Sequence, residues 1–158
     1  MVERAELIKD LLDAFPGLLT DTAFQITSKE DIHYNCIAWA FKMFNDRWMQ
    51  FDTHPRFDGV WYWWPPGVIV SQSIKAYIDA FKTDNFELCA NCELEKGYVK
   101  IALYIEDGTD NCTHAARQKI NGTWMSKLGR GNDIVHGTPY SLEGESYGKV
   151  YCFMKKSR

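Results

Sequence analysis

Apolar residues recur at helical spacing near the start of the chain. Ala5, Leu7, Ile8, Leu11, Leu12 and Phe15 share one face, and Glu3, Arg4, Lys9, Asp10 and Asp13 the other. Pro16-Gly17 closes this predicted amphipathic helix. A second run begins at Cys36 and continues to about Phe44. It sets Ile37, Ala40 and Phe44 on one side with Ala38 and Trp39 beside them, which predicts a helix buried on most sides. Thr27, Ser28, Glu30, Asp31 and Asn35, all suited to caps and turns, precede it. Ile74, Tyr77, Ile78 and Phe81 form the stripe of a third helix over 71–82, with Ser71 or Ser73 as its cap. The pattern then becomes extended. Residues 98–105 read as a strand closed by Asp107-Gly108, and 113–120 as a strand closed by the two-residue hairpin signal Asn121-Gly122. Residues 123–128 make a third strand ended by Gly129, and 149–154 a last one. Helices first and strands afterwards predict an α+β fold, N-terminal helices packed on a C-terminal antiparallel sheet, rather than alternating βαβ units. No repeat or linker interrupts 1–158, so a single domain is expected.

Composition changes this picture in three places. Aromatic residues make up 15% of the chain, and many lie between Asn45 and Gly67, including Trp48, Phe51, Phe57, Trp61, Tyr62, Trp63 and Trp64. Pro65-Pro66 excludes a regular helix or central strand there, so this stretch plugs the core or walls a groove. The net charge of −3 supplies no basic field, and Lys155, Lys156 and Arg158 make only a short solvated tail, so no nucleic-acid partner is expected. No secretory signal is recognisable and no apolar run approaches the roughly 20 residues that span a bilayer. Five cysteines at irregular spacing do not form a disulfide framework. A reduced, cytoplasmic protein with no membrane partner is the expectation.

The chemistry centres on Tyr34-Asn35-Cys36-Ile37-Ala38-Trp39-Ala40. A thiol in the first turn of a helix meets unpaired N–H groups and the positive end of the helix dipole, and both favour thiolate. The same position suits a small buried residue. A thiol nucleophile needs a base within hydrogen-bond reach, and the base needs a third group to hold its tautomer. His114, in Cys112-Thr113-His114-Ala115-Ala116-Arg117-Gln118, is the candidate base, and His33 its rival. Asp133, His136 and Ser126 are the candidates for the third group. Arg117 reads as a surface ion-pair residue. Cys89-Ala90-Asn91-Cys92 is a CxxC that, with Cys112 and His114, would compose a Cys₃His zinc set. That set would consume His114, and no second knuckle accompanies it, so no cofactor is expected.

A cysteine on the first buried helix, then a histidine on a strand, then a polar residue around the next strand is an order that resembles the papain-like cysteine hydrolases. These include papain-type peptidases and small bacterial cell-wall amidase and endopeptidase domains. The likeness runs over roughly residues 30–155. Asn35-Cys36-Ile37-Ala38-Trp39-Ala40 is similar to the nucleophile helix and Thr113-His114-Ala115 to the histidine strand. Trp124-Met125-Ser126-Lys127-Leu128-Gly129 stands where papain-type enzymes carry a Trp-rich strand with an Asn. Together with His114-Ala115-Ala116-Arg117-Gln118, Asp133-Ile134-x-His136 and Tyr147-Gly148, these blocks also resemble a family of small uncharacterised proteins. The resemblance implies a papain-like fold and a cysteine-dependent hydrolase or acyl transferase acting on an amide bond, as peptidase, amidase or deamidase. Its substrate would be a peptide, a protein or a peptidoglycan-like amide. Cys36 would attack, His114 serve as base and Asp133 orient the imidazole. No glutamine stands a few positions before Cys36, Gln25 being eleven away, so Asn35 or the Cys36 N–H would hold the oxyanion. Trp63, Trp64 and Ser126 would line the substrate cleft. The alternative is an inactive papain-like domain that binds a peptide or glycan through the aromatic cleft.

Overall fold

A computed structural model describes residues 2–27, 64–69, 71–128 and 132–158. The described chain is α+β, built on an antiparallel sheet with helices on both faces. Helix α1 spans Val2–Ala14 and a 3-10 helix follows at Pro16–Thr20. Strand β1 is Gln25–Ile26, helix α2 is Ile74–Lys82, and β2 is Glu87–Cys89. Then come β3 (Tyr98–Ile105), β4 (Cys112–Gln118), β5 (Trp124–Lys127) and β6 (Asp133–His136). A second 3-10 helix, Pro139–Leu142, leads to β7 (Lys149–Ser157). The strand order is β1-β6-β5-β4-β3-β7-β2. Among the described residues no helix is long and apolar enough to cross a membrane.

Alternation along β3 makes two cores. Val99, Ile101 and Leu103 face α2 and pack with Ile74, Tyr77, Ala80, Phe81, Phe86, Ala115 and Met154. Ala102 and Tyr104 face the other way, towards α1 and the 3-10 helices, and pack with Leu11, Phe15, Leu18, Ala116, Trp124, Ile134, Leu142 and Phe153. A strand covered on both sides carries the near-continuous apolar run that identifies it in sequence. Even Lys100 is buried on the α1 side, its Nζ donating to the carbonyl and Oδ1 of Asn91 at 3.1 Å each, with Glu95 at 3.6 Å.

Helix α2 begins where Ser73 accepts the Ala76 N–H at 3.2 Å, so Ser73 and not Ser71 is the cap. The helix ends at Lys82, and the turn after it closes at Asn85, which takes the left-handed conformation at φ 69°. The β4–β5 hairpin departs from the expected two-residue turn. Lys119 N–H bonds Thr123 O, Gly122 N–H bonds Lys119 O, and Gly122 sits at φ 91°. The loop is Ile120-Asn121-Gly122, a three-residue connection with glycine at the left-handed position. Residues 133–136, which carry no strand signal beyond Ile134-Val135, form a fully buried strand because β5 and β1 pair with them on either side. Strands β1 and β2 are too short for sequence periodicity to reveal.

Candidate functional site

Three polar side chains meet on the α1 face of the sheet. His114 is on β4, Ser126 on β5 and His136 on β6, three neighbouring strands in the sheet order. Ser126 pairs with Ile134 and His136 with Trp124, so the three residues follow a diagonal across the sheet. Imidazole rings are long enough to reach along such a diagonal to a short hydroxyl between them. His114 Nε2 lies 2.9 Å from Ser126 Oγ, and Ser126 Oγ lies 2.8 Å from His136 Nε2. All three side chains are fully buried.

The end of the chain fixes its polarity. His136 Nδ1 lies 2.9 Å from the carbonyl oxygen of Thr138, which can only accept, so Nδ1 carries the proton. His136 Nε2 is then a bare lone pair and takes the Ser126 hydroxyl proton. Ser126 Oγ, its hydrogen committed, accepts from His114 Nε2–H. That leaves His114 Nδ1 as a bare lone pair, and it has no hydrogen-bond partner among the described residues. Burial drives the His114 pKa well below the usual histidine value, and neighbouring His136 adds to this. Burial likewise pushes His136 down to about 4, against the opposing pulls of the Thr138 carbonyl and the Asp21 carboxylate. Both rings are therefore neutral at pH 7.

Aromatic rings hold the imidazole of His114 in place. Tyr147 stacks on it with centroids 4.2 Å apart and planes 4° from parallel, and Tyr104 leans against it at 5.1 Å. Tyr104 is anchored in turn, its hydroxyl donating to Pro139 O at 2.6 Å. The Tyr147 carbonyl accepts from Thr113 Oγ1 at 2.5 Å. Gly144 and Gly148 close the loop that carries Tyr147 with two mutual backbone bonds, of 2.9 and 2.8 Å.

Asp21 holds the far end of the relay. Its carboxylate accepts from Gly137 N–H at 2.9 and 2.8 Å, from Ala23 N–H at 2.9 Å and from Ser141 Oγ at 2.6 Å. Burial opposes its charge, but the bonds from Ser141, Gly137 and Ala23 outweigh burial and hold its pKa below the usual carboxylate value. Gly137 and Ser141 flank Thr138, so Asp21 positions the carbonyl on which His136 rests. Nothing in the local sequence announces this role. Asp21 reaches Gly137 and Ser141 across 116 and 120 positions of chain.

The structure corrects three expectations. Asp133 does not orient His114: it pairs with Lys127 on the opposite face of the sheet, with Lys127 Nζ 3.9 Å from its Oδ1. The alternation that points Ile134 and His136 towards α1 turns Asp133 away. Trp64 is no wall of the His114 site. It packs edge-on against Tyr77 at 5.2 Å in the α2 core, and its Nε1–H donates to Val68 O at 3.1 Å. Arg117 is buried rather than a surface residue, and burial lowers its pKa to about 10. Cys36, Asn35, Trp63 and His33 lie outside the described residues. Among the described residues no group of three His, Cys, Asp or Glu side chains is placed to hold a metal ion. Cys89 pairs with Phe153 on β7, while Cys112 opens β4 opposite Ile105, so the cysteines of the Cys₃His set weighed from the sequence stand on different strands of the sheet.

A domain family described as being of unknown function, DUF7689, matches residues 25–155. No curated protein and no solved structure matches the chain.

Proposed function

We propose that this chain, which belongs to the DUF7689 family of unknown function, is a papain-like, cysteine-dependent hydrolase or acyl transferase acting on an amide bond. The observation that carries this reading is the state of His114: a neutral imidazole whose Nε2–H is anchored and whose Nδ1 presents a bare lone pair. That is the form a general base must hold before it takes a proton. Cys36 is the nucleophile and His114 accepts its thiol proton. Ser126, backed by His136, takes the orienting place that Asp133 was expected to fill. Asn35 or the Cys36 N–H serves the oxyanion, and a peptide, protein or peptidoglycan-like amide is the substrate class.

Alkylation by iodoacetamide, followed cysteine by cysteine through peptide mapping across pH, tests this. Cys36 should react fast well below pH 8.5 and slow at least about tenfold in His114→Ala. Cys152, whose thiol burial pushes up to about 12, is the slow internal reference. Replacing Cys36 by Ser should abolish amide hydrolysis with the fold retained. A Cys36 that reacts no faster than a free thiol, and ignores His114→Ala, removes the proposed nucleophile. That outcome favours the inactive peptide- or glycan-binding domain, a reading supported by the complete burial of the His114 ring.

A further inference from the structure

A chain of hydrogen bonds with one polarity can pass a proton from end to end. From the unbroken series His114–Ser126–His136–Thr138 and the carboxylate beside its far end, we infer that a proton captured at His114 Nδ1 is carried to His136, where Asp21 is its counter-charge. The catalytic use of this relay rests on the proposed function, but the relay itself does not.

The transfer balances at every atom. A proton arrives at His114 Nδ1 from a donor thiol or from solvent. His114 gives its Nε2 proton to Ser126 Oγ, and Ser126 gives its original hydroxyl proton to His136 Nε2. His114 ends neutral in the opposite tautomer, Ser126 remains a hydroxyl, and His136 ends as imidazolium. No bond other than N–H and O–H changes, and no electron is transferred.

The two ends of the relay offer different seats for the charge. The His114 ring lies between Tyr104 and Tyr147, and among the described residues nothing accepts a bond at its Nδ1. His136 already donates through Nδ1 to the Thr138 carbonyl, a bond that strengthens when the ring is charged. Its chain neighbour Gly137 is bonded directly to the Asp21 carboxylate, which acts on the ring electrostatically. Among the described residues, the other titratable groups on this side of the sheet include Tyr104 and Lys100 on β3, Cys89 on β2, Cys92 before β3, and Tyr140, Glu143 and Tyr147 between β6 and β7. Glu143 is occupied by the Val150 N–H at 2.9 Å. Lys127 and Asp133 are on the opposite face of the sheet. Helix α1 and the 3-10 helix after it contribute the apolar Leu11, Phe15 and Leu18.

Nuclear magnetic resonance of the full chain labelled with ¹⁵N-histidine decides the matter, since two-bond ¹⁵N–¹H couplings report tautomer and charge for each ring. Single His→Gln variants assign the signals. At neutral pH His114 should be the Nε2–H tautomer and His136 the Nδ1–H tautomer. As pH falls with the protein still folded, His136 should become doubly protonated while His114 switches to Nδ1–H. Ser126→Ala should abolish that switch, and Asp21→Asn should move the His136 transition down by about one pH unit. An imidazolium at His114 beside a neutral His136 overturns the inference, as do the opposite tautomers at neutral pH. Unfolding with both rings still neutral also overturns it, because a chain that stores a proton must take one up while folded. If Asp21→Asn does not fold, the order of protonation in the unaltered chain still decides. These readouts do not depend on Cys36. An unreactive Cys36 beside a working relay removes the thiol chemistry alone, and a reactive Cys36 without the tautomer switch removes the relay alone.

Discussion

Ser126 is the smallest member of the buried relay, and two rings depend on it. Its hydroxyl accepts from one imidazole and donates to the other, each within 3 Å. Replacement by Ala strands a buried donor on His114 and a buried acceptor on His136, at about 1–3 kcal/mol each. Ser126→Ala should therefore lower stability by roughly 2–6 kcal/mol in urea titration. A loss below about 0.5 kcal/mol would mean that the two rings find other partners. The rings also set a pH dependence. His136 has an ordinary value of 6.5 and a folded value of about 4, so between these limits the unfolded chain binds more protons than the folded one. Stability contributed by the neutral ring is complete above pH 6.5 and is lost as pH falls towards 4, at about 1.4 kcal/mol per unit and roughly 3 kcal/mol in all. His114 is shifted in the same direction and steepens the slope. Chemical denaturation at several pH values should show this decline, and His136→Gln should flatten part of it. An unchanged slope in that variant would place the titration elsewhere.

At the scale of elements, the loop between the second 3-10 helix and β7 does most to position His114. It presents Tyr147 flat against the imidazole, and its geometry depends on Gly148, which has a φ of 74°. A Cβ at Gly148 would overlap the backbone carbonyl of Ile105, at the end of β3. That carbonyl belongs to a central strand and cannot retreat as a flexible side chain would. Gly148→Ala should cost about 3 kcal/mol or more, part from the left-handed backbone and part from the overlap. Thermal unfolding measures the loss, and an alanine variant as stable as the parent would show that the loop can be rebuilt. Strand β3 was legible from sequence to the residue, Tyr98–Ile105, because both of its faces are apolar. Helix α2 was legible within three residues, since its stripe and its cap are local features. Strand β6 was not, because four residues beginning with an aspartate become a strand only between two partners.

For the whole molecule, the family match begins at residue 25, yet the core around the relay draws Leu11, Phe15 and Leu18 from the preceding segment. The same segment supplies Asp21. Removing residues 1–20 should therefore uncover the α1 face of the sheet. The truncated chain is expected to bind anilinonaphthalene sulfonate and to lose near-ultraviolet dichroism, whereas the full chain keeps its tertiary signal. A truncated chain that unfolds as cooperatively as the parent would show the segment to be dispensable. Which parts of this protein are local and which are global follows from reach. Periodicity, caps and turn residues act over a few positions, so the α+β class, the helices at 2–14 and 74–82 and four of the strands are written directly in the chain. His114, Ser126 and His136 are visible there too, the first as the candidate base and the other two, beside Asp133, as candidates for the group that orients it. Only the tertiary structure decided that Ser126 rather than Asp133 meets His114, because a single step along a strand turns a side chain to the opposite face of a sheet whose two sides are both buried. The same holds for Asp21, whose carboxylate finds Gly137 and Ser141 across most of the chain.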